Sequence, residues 1–103
     1  MLRPFRLGLV LALLFALAGS LSPIPLRAQN DPRAAAIQFT NEGGRAYNAG
    51  QYDRALTLWQ RSLEIFQGLN DARGVAGALA NLGLASNRLG QKKKAVEYYN
   101  RAL

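Results

Sequence analysis

Cysteine and histidine are both absent from the 103 residues, and the two gaps remove most catalytic chemistry at once. Without cysteine there is no disulfide framework, no thiol nucleophile, no lipid-bearing cysteine and no zinc cluster. Without histidine the commonest general base and metal ligand is missing. Acids are scarce as well, six Asp and Glu against 13 Lys and Arg. Asp53 falls at a helix opening, Asp31 and Asp71 fall where helices need capping, and Glu42, Glu64 and Glu97 lie on helical faces. None of them makes a pair suited to acid and base work. The sequence reads as a non-catalytic one, with no cofactor and no metal.

The long apolar run is confined to the N-terminus. Arg3 and Arg6 precede an uncharged stretch from Leu7 to Leu21, and Ser22-Pro23-Ile24-Pro25 breaks it ahead of Leu26-Arg27-Ala28-Gln29. A basic start, an apolar stretch shorter than the about 20 residues that span a bilayer, and a small residue before a polar start make a secretory signal. Residues 1–28 are therefore expected to be a signal peptide, with Ala28 as its last residue and Ala16-Leu17-Ala18 as a competing cut. The chain is then exported, periplasmic or secreted. Left uncleaved, the same segment is an N-terminal membrane anchor, the only way a membrane enters as a partner. Arg3, Arg6 and Arg27 belong to this segment, which leaves ten cations against six acids, a net +4 in place of +7. That is ordinary for solubility and implies no nucleic acid.

What the rest contains is a repeat. Gly43, Gly50-Gln51, Ala55-Leu56, Trp59 and Ser62-Leu63 return 40 residues later as Gly83, Gly90-Gln91, Ala95-Val96, Tyr99 and Ala102-Leu103. A constant shift means one supersecondary unit carried twice. Asn30-Asp31-Pro32 supplies a cap and a proline tolerated at the first helical position, which predicts a first helix to about Asn48 with Gly50 ending it in the left-handed region. The second runs from Tyr52 to about Leu69, with Ala55, Leu56, Trp59, Leu63 and Phe66 at helical spacing, and Gly68 and Asn70-Asp71 make the turn. A third, about Ala72 to Leu89, carries Val75, Leu79, Leu82 and Ala85 on one stripe and stops at Gly90. The fourth begins near Gln91 and presents Ala95, Val96, Tyr99 and Leu103. Residues 29–103 then form one repeat domain, with units at about 31–70 and 71–103, the second truncated. Antiparallel helices approach closely only where side chains are short. Gly43 is therefore expected against Ala55, and Gly83 against Ala95, with Trp59 and Tyr99 beside them. A glycine inside a helix costs about 1 kcal/mol against alanine, so two at one repeat position imply a packing need.

The pattern resembles the tetratricopeptide repeat, whose signature is a large apolar residue, Leu-Gly, an aromatic, a later Ala, an aromatic and a Pro. In the second unit Leu79, Leu82-Gly83, Ala95 and Tyr99 take those places, with Ser86 where the early aromatic belongs. In the first, Phe39, Gly43, Ala55 and Trp59 fit, while Glu42 replaces Leu, Ala46 replaces the aromatic with Tyr47 beside it, and Gln67 replaces Pro. The resemblance covers roughly 31–103, with a period of 40 against the usual one of about 34. It implies an all-α fold of antiparallel helix-turn-helix repeats, an α-solenoid of two repeats preceded by a signal peptide helix.

The same resemblance implies a protein–protein interaction scaffold that binds a peptide or helix on a concave face lined by the first helix of each unit. Asn41 and Asn81 share one position there, two residues before Gly43 and Gly83, and Tyr47, Asn48, Asn87 and Arg88 complete the partner-binding surface. An Asn amide donates and accepts at once, which suits a peptide backbone. These residues also read as an ordinary solvated helix face. Long-period repeats with a loop such as Leu69-Asn70-Asp71-x-Arg73-Gly74 look like those of bacterial tetratricopeptide proteins, some of which carry a C-terminal caspase-like CHAT domain. The alternative function is thus the recognition module of a larger enzyme of that type, whose catalytic domain is not in these residues. Lys92-Lys93-Lys94 sits at a helix start, where cations oppose the dipole. It reads either as a solvated turn or as a contact for an acidic partner or an anionic membrane surface. The unfinished second unit offers a route to self-association through its end.

The mature protein is expected to start at Gln29. Intact mass or N-terminal sequencing of exported material checks this, and a retained Met1 in a membrane fraction would instead identify an anchor.

Overall fold

The structure, a computed structural model, describes residues 31–103; the expected signal segment lies outside the described residues. Four helices follow one another, α1 (Pro32–Asn48), α2 (Tyr52–Gly68), α3 (Ala72–Arg88) and α4 (Lys92–Ala102). Each packs on its neighbours in sequence. Among the described residues there is no strand. The expected boundaries agree with the observed ones to within about a residue, which is the scatter of helix ends generally.

The long period has a simple origin. The first three helices are each 17 residues long, and all four start 20 residues apart. Every junction is the same turn. Gly50, Asn70 and Gly90 stand in the left-handed region at φ 77°, 54° and 78°. The amide of each bonds back to the carbonyl three residues before it, and the next amide, of Gln51, Asp71 or Gln91, bonds back five, to Ala46, Phe66 or Ser86. This is the Schellman arrangement, which satisfies the last carbonyls of a helix. Asn70 replaces glycine because its short polar side chain tolerates that conformation. Gly68, expected in the turn, is instead the last residue of α2.

Each helix pair is keyed by an aromatic ring lying on a glycine. A Cβ at Gly43 in α1 would fall within 2.9 Å of three indole atoms of Trp59 in α2. At Gly83 in α3 it would fall within 3.0 Å of three ring atoms of Tyr99 in α4. The nearest atoms to each glycine are thus those of the aromatic ring, and Ala55 and Ala95 are buried as well. A third contact of the same kind joins the two units: Gly74, read from sequence as part of a loop, lies in α3 and faces three ring atoms of Phe66 within 2.7 Å. Trp59 is also pinned by its indole N–H, which donates to the Thr40 carbonyl at 3.0 Å. Thr40 Oγ1 donates to the Ala36 carbonyl at 2.8 Å and so accepts from Ser62 Oγ at 2.7 Å.

The outer side of α1 departs from the pattern of α3. Ala78, Leu82 and Ala85 of α3 are buried, whereas the residues 40 places earlier are Gln38, Glu42 and Arg45. Gln38 Nε2 donates to Glu42 Oε1 at 3.2 Å along that face.

Both expected caps form. Asp31 accepts from the Arg33 amide at 3.0 Å and Asp71 from the Gly74 amide at 3.0 Å. Asp71 also pairs with the Arg33 guanidinium, which ties the start of α1 to the start of α3. The Gly74 amide and then Arg33 hold the Asp71 carboxyl below its ordinary value of 3.8.

Two tests follow from this packing. Gly43→Ala should destabilise by about 1–2 kcal/mol, because overpacking a buried indole outweighs the gain in helix propensity. At Gly44 an added Cβ meets nothing within 4 Å, so Gly44→Ala should stabilise by up to about 1 kcal/mol. Urea unfolding midpoints of the two adjacent variants should move in opposite directions. For Asp71 the folded pKa lies below the unfolded one, so its contribution is complete above the unfolded value and fades as pH falls through the folded one. The melting temperature should drop on acidification below about pH 4, and Asp71→Asn, which keeps a capping side chain, should flatten that drop.

Candidate functional site

With α1·α2, α2·α3 and α3·α4 as the packed pairs, α1 and α3 form one layer and α2 and α4 the other. Between α1 and α3 runs a groove of about 200 Å³, largely apolar in lining. Ile37 and Thr40 form one wall, Gly77, Ala78 and Asn81 the other, and Phe66 closes it from α2. Gly77 stands 40 residues after Ile37, so one unit offers a branched apolar side chain where the other offers none. That difference opens the groove. Ile37 is 48% exposed, while the Thr40 wall is held from behind by its bonds to Ala36, Ser62 and Trp59.

Asn81 is at the groove, half-buried. Asn41 is exposed and does not line it. The repeat shift explains why. Asn81 of α3 looks toward α1, so the same position on α1 looks away from α3, and the two amides do not share one groove.

Tyr47 and Arg88 are brought together, but with each other. Arg88 Nε donates to the Tyr47 hydroxyl at 2.8 Å, and its guanidinium lies 5.8 Å from the Tyr47 ring centroid, within cation–π range. The hydroxyl raises the Arg88 pKa from its ordinary value. Tyr47 in turn packs edge-on to Tyr52, with centroids 5.3 Å apart, and tilted on Trp59 at 5.8 Å. This cluster fastens the far ends of α1 and α3, as Arg33 and Asp71 fasten the near ends. Asn48 and Asn87 are exposed at the ends of those helices. The groove residues that the sequence reading passed over are Ile37 and Gly77. Their signal was available, since each lies one helical turn before the Asn of its unit.

Among the described residues no cluster of acids fit to hold a metal occurs, and no helix is long and apolar enough to cross a membrane. Lys92, Lys93 and Lys94 are all exposed in the first turn of α4. The groove offers apolar contact surface and one side-chain amide, that of Asn81.

No curated protein and no solved structure matches the chain. A family model described as tetratricopeptide repeat matches residues 41–103, from the middle of α1 through α4, which is more than half of the sequence. Since the match includes both glycine and aromatic pairs that key the two hairpins, the repeat seen in the structure and the repeat of the family are the same one, and the chain belongs to the tetratricopeptide repeat family.

Proposed function

We propose that the chain is an exported, non-catalytic scaffold that holds an extended peptide or a helix of a partner protein in the groove between α1 and α3. The observation that carries this reading is the groove itself. An apolar floor of small residues admits a side chain, and the Asn81 amide at its edge can bond a backbone in both senses. Fastened at both ends, the groove needs little ordering when a partner arrives, which lowers the cost of association. Tyr47 and Arg88 serve here as a fastener and Asn81 as a direct contact.

Gly77 provides the cleanest test, because an added Cβ there meets nothing within 4 Å. Gly77→Leu should fill the groove without disturbing the fold and should stabilise the helix by up to about 1 kcal/mol. Peptides selected for binding to the wild-type protein should lose at least about tenfold in affinity on Gly77→Leu. Asn81→Ala should cost them about 1–3 kcal/mol, and Asn41→Ala should leave them unchanged. Isothermal titration with melting curves reads all three. Undiminished binding to Gly77→Leu and Asn81→Ala would remove the groove from consideration.

A further inference from the structure

The opposite layer carries a second recess, and a buried hydroxyl beneath it is unsatisfied. Ser86 is 0% exposed, and among the described residues its Oγ has no hydrogen-bond partner. A hydroxyl taken out of water without a partner destabilises a fold, so such a group calls for an explanation. Ser86 lies at the floor of an open groove of about 440 Å³ between α2 and α4, with Leu82 beside it. Its place in the repeat is that of the early aromatic in the signature, and the short side chain leaves the space a ring would fill.

The walls of this groove are rich in donors. Gln60 and Arg61 reach it from α2, Gln91 from the cap of α4 and Lys94 from its first turn, with Glu64 as the one acid among the described residues that line it. The start of α4 adds its own field. Its cap, Gln91, makes no side-chain capping bond and its first turn holds no acid, so the positive end of the helix is uncompensated.

The first unit shows what is missing. Forty residues earlier a hollow of about 260 Å³ is lined by Glu42, Arg45, Ala46, Gln51 and Arg54, and all of these but Arg45 are the counterparts of groove residues, Leu82, Ser86, Gln91 and Lys94. Amide and cation recur at the same places. There the chain supplies a carboxylate of its own, Glu42, among them. In the second unit that place is Leu82, and the donors are left without it.

We propose that the α2/α4 groove receives the carboxylate side chain of a glutamate or aspartate from a partner protein. Lys94 and Gln91 are its donors at the rim, and Ser86 Oγ beneath is reached when the flexible rim side chains part. A peptide side chain suits the groove better than a small metabolite, since the recess is open and mixed in polarity, whereas metabolite sites are enclosed and mainly apolar. The site lies in the helix layer opposite to the α1/α3 groove, so both can be occupied together.

The test is an NMR titration of the full chain with the capped peptide Ala-Leu-Glu-Leu-Ala, with the same peptide bearing Gln in place of Glu, and with inorganic phosphate. Saturable amide shifts at Ser86, Gln91 and Lys94 are expected with the Glu peptide, and the Gln peptide should bind at least about tenfold more weakly. Lys94→Glu should lose affinity for the Glu peptide to a similar degree. Ser86→Ala should raise the melting temperature, by removing an unsatisfied group, while weakening the Glu peptide, a combination that a purely structural serine would not give. The proposal is overturned by equal binding of the Glu and Gln peptides, or by shifts confined to the α1/α3 groove. It is overturned too by phosphate acting on these residues as strongly as the peptide, or by a lower melting temperature for Ser86→Ala.

Discussion

The contact of an aromatic face with a glycine backbone sets the geometry of every helix pair in this molecule. Trp59 on Gly43, Phe66 on Gly74 and Tyr99 on Gly83 are three versions of it. A ring needs a flat, empty patch, and a helix provides one only where a residue has no side chain. The helix propensity given up at each glycine, about 1 kcal/mol, is offset by the buried area of the ring, which for an aromatic is among the largest a residue can contribute. One such key lies in each of the three packed helix pairs.

The groove between α1 and α3 depends on a second, weaker set of contacts. Exposed ion pairs contribute little stability individually, and the Arg33–Asp71 and Arg88–Tyr47 contacts both lie at the surface. Their value is positional. They fall at the two ends of the same pair of parallel helices, so α1 and α3 are tied to each other at each end.

Much of this was legible in the sequence because its signals are local. The Asp31 and Asp71 caps, the stops at Gly50 and Gly90 and the apolar stripe of α2 each depend on residues within a turn or two of one another. The shift of 40 residues added the pairing of the hairpins. What was not legible depends on one helix facing another. Gly74 looked like loop material because Asn70-Asp71 precedes it, and only the seating of Phe66 shows it as a packing site. Asn41 and Asn81 share a repeat position, yet adjacent units use that position toward different neighbours. That Tyr47 and Arg88 bond to each other, 41 residues apart, depends likewise on α1 facing α3.

The polar outer side of α1 gives the molecule a sense of direction. Between α2 and α3 the stacking surface on the α3 side holds Ala78, Leu82 and Ala85, while α1 offers Gln38, Glu42 and Arg45 at those places. Taking an acid, a base and an amide out of water costs free energy that an apolar face does not. The two units, alike in backbone, therefore differ in what can be stacked against the corresponding side of their first helix.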